Sequence, residues 1–136
     1  LKDFALIKKR PFLGICVGMQ LLATDSEENG KHDGLNWIVG NIKKLPDKRL
    51  KMPHMGWNEV IPKKITNNNL VVEEKDYYFV HSYYFDCKDS NNIMAYSKYG
   101  IDFPSIVFKE NIYGVQFHPE KSSTQGLELI KSFVEL

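Results

Sequence analysis

Long apolar runs are missing from this sequence. Nothing in it approaches the ~20 consecutive apolar residues that a membrane-spanning helix needs, so a membrane is not expected as a partner. A surplus of one charge is missing too. The 18 basic and 17 acidic residues leave a net charge of +1. They are spread along the chain and give no electrostatic footprint for nucleic acid or an anionic surface. Cysteine is scarce. Cys16 and Cys87 form no C-x-x-C pair and offer no disulfide framework, and reduced thiols in a cytoplasm are the expectation. The histidines, His32, His54, His81 and His118, include no H-x-x-x-H or similar ligand pair, so no metal is expected. Internal repeats, low-complexity tracts and linkers are also lacking, and residues 1–136 read as one unit.

What is present suits a soluble globular fold, with 43% hydrophobic and 26% charged residues. Leu1, Phe4 and Ala5 are spaced i, i+3, i+4, and Lys8, Lys9 and Arg10 follow as cations do at a helix end. The chain opens inside that pattern, which reads as a piece of a longer protein. Pro11 stops the helix. Phe12 to Cys16 is a short apolar run of the buried-strand kind, and Met19, Leu22 and Ala23 lie at helical spacing after it. Helix, strand, sharp turn and helix together point to an α/β layered fold. Ser26 to Gly34 reads as a loop, Leu35 to Leu45 as a strand, Asp47 to Lys51 as a basic loop and Asn67 to Asn69 as a turn. Strands are expected at Tyr77 to Phe85, Ile93 to Tyr99 and Ser105 to Lys109. A tight connection at Lys109-Glu110-Asn111 leads into a further strand, Ile112 to His118. Ser122 and Gln125 fit a capping box for a last helix that carries Leu127, Ile130 and Val134 on one face.

Gly14-Ile15-Cys16-Val17-Gly18 is the most informative pentapeptide. A nucleophile between strand and helix, flanked by glycines, suits a strained turn that projects its side chain beyond the sheet. A helix N-terminus at that point favours a thiolate and lowers the cysteine pKa, and the Val17 N–H is placed to donate to an oxyanion. The plainer reading is a small core cysteine between two packing glycines. His118-Pro119-Glu120 supplies the second half. A cysteine nucleophile needs a base, and the base an orienting partner. In extended chain i and i+2 point the same way, so Glu120 can hold the His118 ring. By itself His-Pro-Glu is also an ordinary loop. The two segments together carry more than either alone.

Residues Pro11 to Leu22 closely resemble the nucleophile segment of class I, triad-type glutamine amidotransferases. Gly114-Val115-Gln116-Phe117-His118-Pro119-Glu120-Lys121-Ser122 is similar to the histidine–glutamate segment of the same family. Pro53-His54-Met55-Gly56-Trp57-Asn58-Glu59-Val60 and Tyr78-Phe79-Val80-His81-Ser82-Tyr83-Tyr84 resemble the HisH type, the glutaminase subunits of imidazole glycerol phosphate synthase. The resemblance covers essentially the whole chain. It implies the family's flavodoxin-like three-layer α/β fold, a mixed sheet flanked by helices. Residues 1–136 would be the C-terminal catalytic portion of the domain, without the family's N-terminal strands and glycine-rich oxyanion loop.

The resemblance also implies the chemistry. Cys16 would attack the glutamine side-chain amide, Val17 would meet the oxyanion, His118 would shuttle the proton and Glu120 would orient His118. Gln20, His81, Ser82 and Tyr83 would bind the substrate, with no cofactor. The ammonia would pass to a (β/α)8-barrel cyclase of the HisF type in a heterodimer, with Trp57, Tyr78 and Lys121 at or near the interface. Two alternatives stay open. One is a HisH-like paralogue serving a sugar amidotransferase, hinted at by Gly34-Leu35-Asn36-Trp37-Ile38. The other is a fragment that folds without activity. A papain-like protease does not match the glycine-flanked Cys16 or the His-Pro-Glu segment.

Overall fold

A computed structural model describes residues 1–46, 49–64 and 68–136. The strands are β1 (Phe12–Ile15), β2 (Asp25–Ser26), β3 (His32–Asp33), β4 (Gly40–Lys44), β5 (His54–Glu59), β6 (Ile61–Pro62), β7 (Asp76–His81), β8 (Tyr83–Cys87), β9 (Ile93–Tyr99), β10 (Ile101–Lys109) and β11 (Ile112–Val115). Two α-helices, α1 (Val17–Gln20) and α2 (Ser123–Val134), are found among the described residues. The strands form a five-stranded sheet in the order β1-β11-β10-β9-β6, a four-stranded sheet β3-β2-β4-β8, and the pair β5-β7. Strands β1 and β11 run parallel, with Gly14 opposite Gly114 and Ile15 opposite Val115, while β10 pairs antiparallel with β9 and β11. The sheet is therefore mixed.

That sheet divides two hydrophobic cores, which gives the expected three layers. Alternate side chains of a strand face opposite ways. On β11, Ile112 joins one core with Met19, Leu22 and Phe85, while Tyr113 and Val115 join the other with Phe79, Phe103 and Phe117. Val107 and Ile106 on β10 divide in the same way. Burial on both faces accounts for the consecutive apolar residues 106–108 of β10 and for the fully buried β11. Helix α1 packs on the Met19 side and α2 on the other, through Leu129.

Several elements differ from the sequence reading. The N-terminal helix is a wide turn, Asp3–Ile7, whose Lys8 N–H reaches the Asp3 carbonyl at 2.9 Å. Its Ala5 is buried, but Leu1 and Phe4 are exposed. The helix after Cys16 is one turn long. Leu22 and Ala23 are fully buried in the following turns, where the chain folds back so that Leu35, Asn36, Trp37 and Ile38 donate to carbonyls of residues 21 to 23. The strand expected from Leu35 begins only at Gly40, because Trp37 leaves the extended path to pack edge-on against Phe12. The Ser26 to Gly34 segment holds the last residue of β2 and the whole of the short strand β3. Tyr77 to Phe85 breaks at Ser82 into strands of different sheets.

Ser122 does precede α2, yet it makes no capping bond. Its hydroxyl donates to the His118 carbonyl at 2.6 Å and accepts the Tyr78 N–H at 2.9 Å. Gln125 donates to the Asp76 carbonyl instead of closing a capping box. The buried face of α2 is Gly126 and Leu129, with Phe133 half-buried, while Leu127 and Val134 face solvent. Asp47 and Lys48 of the basic loop, and Asn67 of the expected turn, lie outside the described residues.

Candidate active site

Strand β1 delivers Cys16 to a backbone conformation of φ 53°, ψ −106°, in which an L-residue is strained. The Cys16 N–H still bonds the Val115 carbonyl at 2.8 Å, as a continuation of the β1–β11 ladder, and its carbonyl accepts from Gln20 N as α1 starts. The residue is thus the hinge between strand and helix. The two flanking glycines are not equivalent. A Cβ on Gly14 would lie 2.4 Å from the Gly18 carbonyl oxygen, whereas one on Gly18 would meet nothing within 4 Å. Only Gly14 is required by close backbone approach.

Because β1 and β11 are parallel neighbours, residues following their C-terminal ends emerge at the same edge of the sheet. Cys16 directly follows β1, and His118 comes three residues after Val115, the last of β11. The His118 Nδ1–H donates to Glu120 Oε1 at 3.2 Å. That bond fixes the tautomer and leaves Nε2 as the basic atom. Main-chain bonds hold the segment: His118 N donates to Tyr78 O, and Lys121 N to His118 O. The Cys16 thiol donates to the Val80 carbonyl at 3.8 Å, and the Gln116 side-chain amide donates to the sulfur at 3.8 Å. His118 is not among the hydrogen-bond partners of the sulfur. Burial pushes the thiol pKa above its ordinary value. The Val17 N–H and the Gln116 amide pull it down, and Glu120 and Glu28 push it up again. The lowering expected at the start of α1 is therefore not the net result: desolvation outweighs the two hydrogen bonds that pull the thiol down.

A cleft of about 130 Å³ opens beside the sulfur, lined by Cys16, Val17, Gln20, Glu28, Val80, His81, Ser82 and Tyr83. All four residues expected to bind a substrate, Gln20, His81, Ser82 and Tyr83, are therefore brought to one place. Their roles are divided. Gln20 Nε2 donates to the Tyr83 carbonyl at 3.1 Å and to Gln116 Oε1 at 3.2 Å. Both ring nitrogens of His81 are engaged within the protein, Nδ1 with the Tyr83 carbonyl and Nε2 with His54. Its contribution to the cleft is its wall and main chain.

Two residues of this neighbourhood were not singled out from the sequence. Glu28 sits in a polar stretch that reads as loop, and only the folding-back of residues 21 to 38 brings it to the cleft. Gln116 is fully buried. A buried amide inside an apolar strand pattern is the signal that could have marked it.

Trp57 and Tyr78 are directly opposite on β5 and β7, their rings edge-to-face with centroids 5.9 Å apart. Trp57 and Met55 project to solvent, and Lys121 is exposed in the turn that follows His118. Tyr78 is tied to the His118 segment, its carbonyl accepting the His118 N–H at 2.9 Å. Among the described residues, no group of three or more His, Cys, Asp or Glu side chains is placed to hold a metal ion.

Comparison with known proteins bears on the family. The family model for class-I glutamine amidotransferases matches residues 2–136. Curated relatives include the HisH subunit of imidazole glycerol phosphate synthase from Leptospira borgpetersenii, 49% identical over 100% of this chain and 69% of that protein. The HisH subunits of Leptospira interrogans and Caldanaerobacter subterraneus are 45% and 46% identical, covering 100% and 95% of this chain and 69% and 64% of theirs. The chain thus spans about two thirds of the length of these relatives. Among solved structures, a Thermoplasma acidophilum protein assigned to GMP synthase superposes with a TM-score of 0.62 at 21% identity, covering 95% of this chain and 59% of that one, a likeness of fold alone. A strained cysteine turn, a tautomer-fixed histidine at the same sheet edge and a family match along nearly the whole chain lead to one conclusion: this chain belongs to the class-I glutamine amidotransferases.

Proposed function

We propose that residues 1–136 are the catalytic portion of a glutaminase subunit of imidazole glycerol phosphate synthase, acting through Cys16, His118 and Glu120. The observation that carries this reading is the convergence of Cys16 and the Glu120-held His118 at one edge of parallel strands, in a chain 49% identical to a HisH subunit.

In this reading His118 Nε2 takes the thiol proton, and the sulfur attacks the side-chain amide carbon of glutamine. The oxyanion receives the Val17 N–H. His118 then protonates the departing nitrogen, ammonia leaves, and a Cys16 thioester remains. Water attacks the thioester with His118 as base, releasing glutamate and restoring the thiol. Glu120 steadies the imidazolium between the steps. Gln20, Ser82 and Tyr83 hold the substrate, largely through main-chain atoms on the Ser82–Tyr83 side. The Glu28 carboxylate, on the same cleft, suits the substrate's α-ammonium.

Ammonia is mostly protonated at neutral pH and is then a poor nucleophile, so this chemistry calls for a sealed route to an acceptor. We place a HisF-type cyclase over the exposed Met55–Trp57 face, with Tyr78 and Lys121 at its edge, in a cytoplasmic heterodimer. Aromatic side chains at a solvent-facing sheet edge beside a site suit such a contact.

The test is chemical. A glutamine-analogue electrophile such as a diazoketone should add to Cys16 alone, seen by mass spectrometry of the peptide. Cys16→Ala should abolish glutamine hydrolysis while the partner still reacts with ammonia supplied directly. Label on Cys87 only, or hydrolysis that persists in the variant, overturns the reading.

A further inference from the structure

His54 lies on the inner face of β5 and is buried, as is His81 on β7 directly opposite. The mechanism above makes no use of His54. Its ring stacks between Phe79 and Tyr99, with centroids 4.9 and 4.1 Å away. Both of its nitrogens are engaged. Nδ1 is 2.9 Å from His81 Nε2, and Nε2 is 3.2 Å from Asn58 Nδ2.

The ends of this chain of hydrogen bonds determine every proton in it. The Tyr83 carbonyl can only accept, so His81 Nδ1 carries the hydrogen that meets it at 2.8 Å. Each ring is held neutral, for burial pulls both histidines down to about 4. His81 Nε2 is then an acceptor, and His54 Nδ1 must be the donor to it. His54 Nε2 is in turn an acceptor, which requires a donor on Asn58. That orientation of the Asn58 amide is fixed independently. Its Oδ1 accepts the Glu59 N–H at 2.8 Å, and its Nδ2 also donates to the Lys98 carbonyl at 2.8 Å. The bonds therefore run one way, from Asn58 to His54 to His81 to the Tyr83 carbonyl, with the Lys98 carbonyl as a second anchor. A proton added to either ring would set donor against donor.

The receiving end is the wall of the cleft. The Tyr83 carbonyl also accepts Gln20 Nε2, and Gln20 leads through Gln116 to the Cys16 sulfur. We infer that His54 is a positioning residue for glutamine binding: by donating from Nδ1 it holds His81, and through His81 the Tyr83 carbonyl, where Gln20 meets it. The inference rests on the reading that the cleft beside Cys16 receives glutamine. Its outward neighbours on β5, Met55 and Trp57, face solvent, so the same strand carries an exposed face and the start of the line to the cleft.

Two substitutions separate the donor from the ring. His54→Phe keeps an aromatic ring between Phe79 and Tyr99 and removes the donor. His54→Asn keeps an N–H at the position of Nδ1 and removes the ring. In the intact, partner-bound enzyme, His54→Phe should raise KM for glutamine roughly tenfold, the size of one net hydrogen bond, with kcat changed by less than about threefold. His54→Asn should recover most of that loss. NMR of imidazole nitrogens in the unsubstituted protein should show both His54 and His81 protonated at Nδ1 alone at neutral pH.

Either ring protonated at Nε2 overturns the inference without any assay of activity. So does an Asn variant as impaired in KM as the Phe variant, or a Phe variant with unchanged KM. If Cys16→Ala leaves hydrolysis intact, the cleft reading fails first, whatever the tautomers prove to be.

Discussion

Replacing Gly14 with alanine tests how Cys16 is held. The new Cβ would stand 2.4 Å from the Gly18 oxygen, 2.6 Å from the Gly18 carbonyl carbon and 2.9 Å from Met19 N. All three are main-chain atoms of α1, so no rotamer change relieves the overlap. Ordinary contact begins near 3.4 Å, and α1 must therefore retreat from β1 by about 1 Å. Overpacking of this kind costs roughly 1–3 kcal/mol of stability. Cys16, the reacting group of the proposed mechanism, lies between the two elements, and misplacing a reacting group by about 1 Å costs on the order of a hundredfold in rate. Urea unfolding should show a lower midpoint with an unchanged slope, and glutaminase turnover in the partner-bound enzyme should fall by about two orders of magnitude. Gly18→Ala is the internal control. A Cβ there meets nothing within 4 Å, and alanine in a helix is favoured over glycine by roughly 0.5–1 kcal/mol, so stability should hold or rise. Full stability and turnover in Gly14→Ala would refute the argument and show that the β1–α1 approach has slack.

The two buried histidines make folding sensitive to acid. Burial takes both His54 and His81 down to about 4, against an ordinary value near 6.5. The unfolded chain binds these protons first, so stability is complete above about pH 6.5 and falls as pH drops toward 4, by at most about 3 kcal/mol per histidine. A denaturation midpoint constant between pH 6.5 and 5 would contradict this. Ser122→Ala should leave the half-buried Tyr78 N–H and His118 carbonyl without their shared hydroxyl. The expected cost is about 1–3 kcal/mol, with kcat reduced because His118 loses its tether. Unchanged stability and kcat would show that the backbone pairing of Tyr78 and His118 suffices.

The local placement of the candidate residues could be read from the sequence alone. Cys16 stands between a strand pattern and a helix pattern, and His118 stands two residues before Glu120 across a proline. Nucleophile turns and i, i+2 pairs need only neighbours in the chain. Strands β1, β9 and β11 were legible for the same reason, as apolar or β-branched runs bounded by Pro11, Gly100 and the Glu110–Asn111 turn. Whatever depends on distant partners had to wait for the folded chain. The two glycines beside Cys16 look alike in sequence, yet only Gly14 lies under α1. Ser122 and Gln125 match a capping box, but tertiary partners on β7 and the His118 segment claim both side chains. The Tyr77 to Phe85 run gives no local sign of its break at Ser82, which arises because its halves join different sheets and leave their junction facing the sulfur. Glu28 and Gln116 reach the cleft only through folding. The pKa of Cys16 follows the same rule, because the desolvation that raises it comes from everything packed around the turn rather than from the turn itself.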